Sequence, residues 1–387
     1  MISALRMFLA IWLGKLSIHI IRLTGRGGGS SLPGRLALAV DPQILQKRAK
    51  RHSKGNIIVT GTNGKTTTSQ LLAHILGRSG SVIHNRTGAN LYQGLVTAVI
   101  DGAHWLGGGA DYGLFEVDEA TVPAASSALH PHLLVLTNFF RDQLDRFGEL
   151  DHSLSLVRKG LPAMQAGGTL VLNADDPLVA SLAADYTCQV VYYGLDVPSE
   201  ITPDLFTPDL DAAYCRRCGS PLVYERRYMG HLGHYACHHC GWKRPDPSVV
   251  LKDYRPADLA QAGWLKIEFS GRSLEAGWQP IGFYNLYNAL AAAAAAWSLQ
   301  VPMSEIAGGL SEFRPGFGRM ESIDLYGSVG LLSLVKNPTG FNQVLRTVLS
   351  DRQHPKVLLL AINDLYADGT DVSWLWDVSF EPLRQDD

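Results

Sequence analysis

Charge is scarce in this chain. Charged residues make up 18% of its 387 residues, and 34 lysines and arginines against 36 aspartates and glutamates leave a net charge of −2. A balance of that kind excludes broad electrostatic attraction to polyanions, so no nucleic acid is expected as a partner. Hydrophobic residues at 46% exclude a disordered chain. Cysteine is rare too: there are five, too few for a disulfide-dense scaffold of this length. A long uninterrupted apolar run is also missing. Met1 to Leu23 is apolar but broken by Arg6, Lys15, His19 and Arg22, short of the roughly 20 apolar residues of a membrane span. The basic Arg22 and Arg26 stand where a signal peptide would carry a small-residue cleavage site. The segment reads as a short amphipathic helix. It either packs on the domain behind it, the preferred reading, or rests on a membrane surface through its basic residues.

What is present begins with Gly61-Thr62-Asn63-Gly64-Lys65-Thr66-Thr67, placed between the apolar run Ile57-Ile58-Val59 and the helical pattern of residues 69–76. That is a strand, a phosphate loop and a helix. The glycines let backbone N–H groups turn towards phosphate oxygens, and the helix N-terminus adds partial positive charge. Lys65 reaches the terminal phosphates and Thr66 holds Mg²⁺. The strict consensus has a glycine where this chain has Val59, so the match is to the Gly-Lys-Thr end. ATP with Mg²⁺ is the expected ligand.

Length suggests two or three domains. After the loop, apolar runs at residues 112–115, 133–136, 169–172 and 190–193 alternate with helix-length segments, which predicts an α/β fold with a doubly wound parallel sheet. Ligands of such sheets sit at the carboxyl ends of the strands. Three polar clusters follow strands there: Glu116 to Glu119; Thr137-Asn138 with Asp142 and Asp145; and Asn173 with Asp175 and Asp176. Each is a candidate for Mg²⁺ or nucleotide contact.

The alternation stops between residues 201 and 255. Cys215 and Cys218, then Cys237 and Cys240, form two CxxC pairs with 18 residues between them, the spacing of a four-thiolate zinc ribbon. Four protein ligands close the Zn²⁺ site, so its role is structural. Cys188, left over at the start of an apolar strand, reads as a buried thiol. Further on, Tyr284 to Trp297 is strongly helical, with Asn285 and Asn288 on one face of its start. Apolar runs at 331–335 and 357–362 then predict a second, smaller α/β unit, followed by the tryptophan-rich residues 373–377.

Taken in order, the phosphate loop, Thr137-Asn138, Asp142 with Asp145-Arg146, Asn173 with Asp175-Asp176, Asn285 with Asn288, and Gly318-Arg319 with Glu321 resemble the Mur ligase family. The resemblance covers most of the chain. It implies a central ATP-binding domain over 46–312 carrying the ribbon at about 205–250, an N-terminal helix and Gly-rich loop over 1–45, and a C-terminal domain over 313–387 that is shorter than the family's. Family members phosphorylate a carboxylate to an acyl phosphate, which an amine attacks. Gly61 to Thr67, Asn138, Asn285 and Arg319 would bind the nucleotide, and Thr66 with Glu116 the Mg²⁺. Gln143 replaces a histidine usual in the family. Lys159 lies near the place of the family's carbamylated lysine but reads as a helix-surface lysine.

The ribbon, the reduced N-terminal part and two C-terminal segments, Lys336-Asn337-Pro338 to Gln343 and Asp368 to Trp374, are similar to the subgroup that works with a glutaminase subunit, GatD. That subgroup amidates the D-glutamate of lipid II at the inner face of the membrane, in the cytoplasm. Asp368 or Asp371 would complete the partner's Cys-His-Asp triad; the motif does not separate them. Two rivals remain at this point. One is a free-standing ligase of the Mur or folylpolyglutamate type that adds an amino acid. The other is a zinc-ribbon NTPase that uses the local basic residues around Arg216 and Lys243 to hold nucleic acid.

Overall fold

Three helices lead into the first strand. The computed structural model describes residues 2–24, 31–86, 88–104, 109–141, 149–187, 189–198, 211–257, 261–316, 318–325, 328–350, 356–363 and 372–385. Within them α1 (Ile2–Thr24), α2 (Leu32–Val40) and α3 (Ile44–Ala49) precede β1 (Asn56–Thr60) and α4 (Lys65–Gly77). Strand and helix then alternate: β2 (Val82–His84), α5 (Tyr92–Asp101), β3 (Tyr112–Glu116), α6 (Val122–Leu129), β4 (Leu133–Leu136), α7 (Glu149–Gly160), β5 (Thr169–Asn173), α8 (Pro177–Ser181) and β6 (Gln189–Leu195).

β7 (Val223–Met229) and β8 (Leu232–Ala236) form a separate hairpin, after which β9 (Val249–Arg255), β10 (Gly263–Phe269) and β11 (Arg272–Trp278) return to the main sheet. The helices α9 (Tyr284–Ser298) and α10 (Met303–Glu312) follow. A small unit ends the chain: the hairpin β12 (Arg319–Leu325) and β13 (Ser328–Ser333), α11 (Pro338–Ser350) and two short 3-10 turns.

The nine strands run in the order β11-β10-β9-β6-β5-β4-β1-β3-β2. β1 pairs in parallel with β3 on one side and β4 on the other, so the strand order reverses there. In doubly wound sheets that reversal opens a crevice at the carboxyl end of the strand, which is where the phosphate loop lies. The sheet is mostly parallel, as expected from the sequence, and becomes mixed only at one edge. β9 extends the parallel part beside β6, but β10 and β11 continue it as an antiparallel hairpin.

Helices cover both faces. On one, α4, α9 and α10 pack on the sheet; on the other lie α1 to α3 and α5 to α8. Ala289 and Ala291 to Ala296 of α9 are all fully buried. Side chains this small bring the helix close to β4, β5, β6 and β9 and leave no room for longer ones. One side of α1 packs on α5: Ala10, Ile11 and Ile18 are buried, and a Cβ on Gly14 would meet Ile100 at 2.9 Å. By length and composition alone Ser3–Thr24, of mean hydropathy 1.5, could cross a membrane, although Arg6, Lys15 and Arg22 interrupt it.

In the small C-terminal unit α11 packs through Phe341 and Leu345 against Trp374 and Val378. The expected strand at 357–362 does not form. Residues 356–363 carry neither helix nor strand, and Val357 and Leu359 are 97% and 87% exposed. An apolar run becomes a strand only beside a strand with free hydrogen-bonding groups, and the two-stranded β12–β13 sheet does not reach it.

Candidate active site

The phosphate loop turns tightly because two glycines adopt backbone angles that favour glycine. Gly61 has φ +122° and Gly64 φ +84°, and a Cβ on either would collide, with Thr137 or with the Asn288 amide. The loop is held from outside by the end of β4. Asn138 receives the Asn63 N–H at 2.9 Å and donates to the Asn63 carbonyl at 3.1 Å, while Thr62 N–H donates to the Asn138 carbonyl at 2.8 Å. Asn138 thus holds the loop in its shape. Thr67 is buried under the first turn of α4.

Lys65 and Thr66 point towards acidic groups after β3. Lys65 Nζ lies 3.2 Å from Glu119, and the Thr66 hydroxyl donates to Glu116 Oε1 at 2.9 Å. Glu116 is 3% exposed, and its Oε2 has no hydrogen-bond partner among the described residues. A buried carboxylate oxygen without a donor is costly unless a cation or a proton meets it. Thr66 and Glu116 offer the hard oxygens that Mg²⁺ takes beside phosphates, so the residues fit that ion. Asn85 fixes the Glu116 backbone on both sides, accepting from its N–H at 2.9 Å and donating to its carbonyl at 2.8 Å.

Lys65, Thr66, Glu116 and Asn138 line a cavity of about 650 Å³. Arg86 and Asn90 close one side, Tyr287 and Asn288 another, and Lys336 and Gln343 come from the C-terminal unit. That unit touches the loop itself: Asn337 donates to the Asn63 side chain at 3.0 Å. Tyr287 keeps its proton. Burial, the nearby Asp175 and the 2.8 Å hydrogen bond to it push the phenol well above its ordinary range.

Several sequence expectations are redistributed by this geometry. Asn285 is 1% exposed and donates to the Ile281 carbonyl at 2.7 Å; it reaches the site only through Asn288, which donates to it at 2.9 Å. Asn173, Asp175 and Asp176 form no ligand site, which corrects the reading of the third acidic cluster. All three are fully buried. Asp175 takes Arg244 at 2.6 Å, Tyr287 and the Leu195 N–H, and Asp176 caps α8 and accepts from Phe139 N–H. They hold strand ends together. Lys159 is exposed on the last turn of α7. Arg319 opens β12, but its side chain lies outside the described residues, as do Asp142, Gln143, Asp145, Cys188, Asp368 and Asp371.

Sequence reasoning misses Glu119 as the partner of Lys65, and Arg86 and Asn90 altogether. The one available signal for the latter is their place after β2, another carboxyl end on the same side of the sheet.

The four ribbon cysteines converge, with all ligand atoms within 4.8 Å of one another. Cys215 Sγ is 3.6 Å from Cys240 Sγ, and Cys218 Sγ is 3.5 Å from Cys237 Sγ. Sulfurs at about 2.3 Å from a tetrahedral Zn²⁺ would stand about 3.8 Å apart, close to this spacing. Both CxxC turns use a glycine with positive φ, Gly219 at +74° and Gly241 at +73°. His238 and His239 are exposed and outside the cluster. The hairpin β7–β8 does not stand apart as a free module. Its tip is buried: Leu232 joins the main core, His231 lies 3.3 Å from Asp176, and Met229 lines the cavity. Arg346 of α11 donates to the Tyr228 carbonyl at 3.0 Å, which ties the C-terminal unit to the same hairpin.

Known proteins are similar to this chain. A family model described as the Mur ligase middle domain matches residues 59–209, and one described as MurT ligase C-terminal matches residues 334–387. A protein of Staphylococcus aureus named lipid II isoglutaminyl synthase (glutamine-hydrolyzing) subunit MurT is 34% identical over 98% of this chain and 83% of its own. A protein of the same name from Streptococcus pneumoniae is 35% identical over 99% of this chain and 83% of its own. Among solved structures, a pseudomurein peptide ligase type C from Methanothermus fervidus superposes with a TM-score of 0.62 at 27% identity, covering 79% of this chain and 58% of that one. With the phosphate loop, the buried Glu116 and the four-cysteine hairpin set in a Mur ligase fold, and with likeness at this level along nearly its whole length, the chain belongs to the MurT family of Mur ligase-like subunits and is an ATP-dependent ligase.

Proposed function

We propose that this chain uses ATP to phosphorylate the α-carboxylate of D-glutamate in the stem peptide of lipid II, and that ammonia from a glutaminase partner, GatD, converts the acyl phosphate to D-isoglutamine. The work belongs to peptidoglycan synthesis and takes place in the cytoplasm, at the inner face of the membrane where lipid II is displayed. The observation that carries the reading is the grouping, in one cavity, of Lys65 and Thr66 with a buried Glu116 whose second oxygen lacks a donor among the described residues. Such a site handles a metal-bound triphosphate.

The chemistry follows from charge. A carboxylate is a poor acylating agent, so one of its oxygens first attacks the γ-phosphorus of ATP, and ADP leaves. The N–H groups of the loop and Lys65 hold the phosphates in line, and Lys65 exchanges Glu119 for phosphate oxygens when they arrive. Mg²⁺, when bound at Thr66 and Glu116, neutralises phosphate charge. Ammonia then adds to the acyl carbon, phosphate departs, and the added nitrogen loses a proton to leave the carboxamide. Lys336 and Gln343 reach the same cavity from the C-terminal unit and are placed to contact the carboxylate-bearing substrate. Arg319 is assigned to the nucleotide by family likeness alone.

A partner is supported by the surface of the C-terminal unit, where Trp376 is 90% exposed and Val357 and Leu359 are equally open. Asp368 or Asp371 lies in the segment between them and supplies the third member of the partner's triad. Asn substitution of the right one abolishes amidation with glutamine and leaves amidation with ammonia intact. The function itself is tested with the purified chain, lipid II, ATP and ammonium chloride. Formation of the carboxamide with release of ADP supports it. Ligation of an amino acid instead supports the free-standing ligase and overturns it.

A further inference from the structure

The outward side of α1 is an exposed apolar surface. Leu5, Leu9, Trp12, Leu16, Ile20 and Leu23 follow one another at helical spacing and are each between 45% and 73% exposed. Leu32 and Leu36 of the neighbouring α2 add to the stripe. Soluble surfaces rarely leave so many large apolar side chains together without a use for them. The inward side already anchors the helix, through Ala10, Ile11 and Ile18, so the stripe is not needed to hold α1 in place.

The charge carried by α1 and α2 themselves has one sign. Residues 1–40 contain Arg6, Lys15, Arg22, Arg26 and Arg35 and no aspartate or glutamate, in a chain whose total is −2. Arg6 and Arg35 are exposed beside the stripe. Lys15 and Arg22 reach back to the Asp101 carbonyl and carboxylate, at 3.0 and 2.8 Å, and tie the helix along the end of α5. A helix packed on one side and tied by two cations lies along a surface and does not span it. An exposed apolar stripe flanked by cations, with a tryptophan within it, matches the interface of an anionic bilayer.

We propose that the outward face of α1, continued by Leu32 and Leu36, docks this enzyme on an anionic lipid bilayer. The leucines and Trp12 sink to the boundary of headgroups and acyl chains, and Arg6 and Arg35 meet lipid phosphates. For its purpose the proposal rests on the reading above, since it brings the site to a lipid-borne substrate, but the surface recognises the bilayer and not the stem peptide.

The test is co-sedimentation of the chain, purified with its partner subunit, with vesicles of phosphatidylcholine alone or mixed with phosphatidylglycerol in equal parts. The wild type is expected to pellet with the anionic vesicles, less so in high salt. Trp12→Glu with Leu16→Glu lowers binding about tenfold or more on both vesicles. Arg6→Glu with Arg35→Glu removes only the preference for the anionic ones. Both variants keep the wild-type Tm and amidate a soluble, lipid-free stem peptide at the wild-type rate. A wild type that stays in the supernatant overturns the proposal, as does undiminished binding by the Trp12/Leu16 variant. Loss of the partner subunit or of a self-associated form in that variant also overturns it, because the stripe is then a protein interface. If the wild type binds vesicles yet amidates nothing, the docking surface stands and the proposed reaction falls.

Discussion

Glu116 and Asp175 are both buried carboxylates after strands of one sheet, and only their partners tell them apart. Asp175 is saturated by Arg244, Tyr287 and a backbone N–H, whereas Glu116 has one oxygen on Thr66 and one with no donor among the described residues. In the sequence the two clusters look alike, because whether a polar group turns inward depends on residues far along the chain. The loop is different. Gly61 to Thr67 was legible, since its glycines, lysine and threonines act on one another over a few residues. Two outcomes belong at this scale. Lys65→Met should lower kcat for ADP release by about 10²- to 10³-fold with Tm unchanged, the cost of removing one stabilising group from developing charge. The second concerns His84, whose pKa burial lowers to about 4, with Arg86 adding to the effect. The folded protein holds the neutral ring, while the unfolded chain takes up a proton below about pH 6.5. Stability from this residue is therefore complete above about 6.5 and lost as pH falls towards about 4. In thermal melts across that window His84→Gln should lose Tm less steeply than the wild type.

At the scale of elements the four-cysteine ribbon was announced by its spacing, but its place was not. The contacts of Met229, His231 and Tyr228 with the cavity wall, Asp176 and Arg346 join residues tens of positions apart. β10 shows the reverse: Leu265, Ile267 and Phe269 are buried and alternate with partly exposed residues, a pattern readable in sequence. What local pattern does not give is that β9 to β11 rejoin the main sheet, or that the run at 357–362 finds no strand to pair with. Because Met229 at the hairpin tip lines the cavity, a metal held by the four cysteines would be coupled to a nucleotide bound there. Cys237→Ser should lose zinc, lower Tm and weaken ATP binding by about tenfold or more, as measured by zinc content, thermal melts and a fluorescent ATP analogue. A folded, zinc-free variant with unchanged ATP affinity would contradict that coupling.

Across the whole molecule the reacting cavity is built from both ends of the chain. The phosphate loop near the start meets Asn337 of the C-terminal unit, and Arg346 links that unit to the ribbon hairpin. In the proposed reaction, walls contributed by both units would keep an acyl phosphate away from water. The C-terminal unit presents Trp376 outward, on the surface to which the proposed function assigns the ammonia-supplying subunit. The account therefore separates two sources of nitrogen: free ammonia reaches the cavity of this chain alone, and glutamine serves only through the partner. The most direct measurement follows nitrogen from glutamine carrying a heavy-isotope amide, in a mixture of lipid II, ATP, this chain and its partner, by mass spectrometry of the stem peptide. The account predicts the heavy nitrogen in the α-carboxamide of D-isoglutamine, one ADP for each amide formed, and no label in the product when the partner is left out. An added amino acid on the stem peptide, or ATP consumed with lipid II left unamidated, would contradict it.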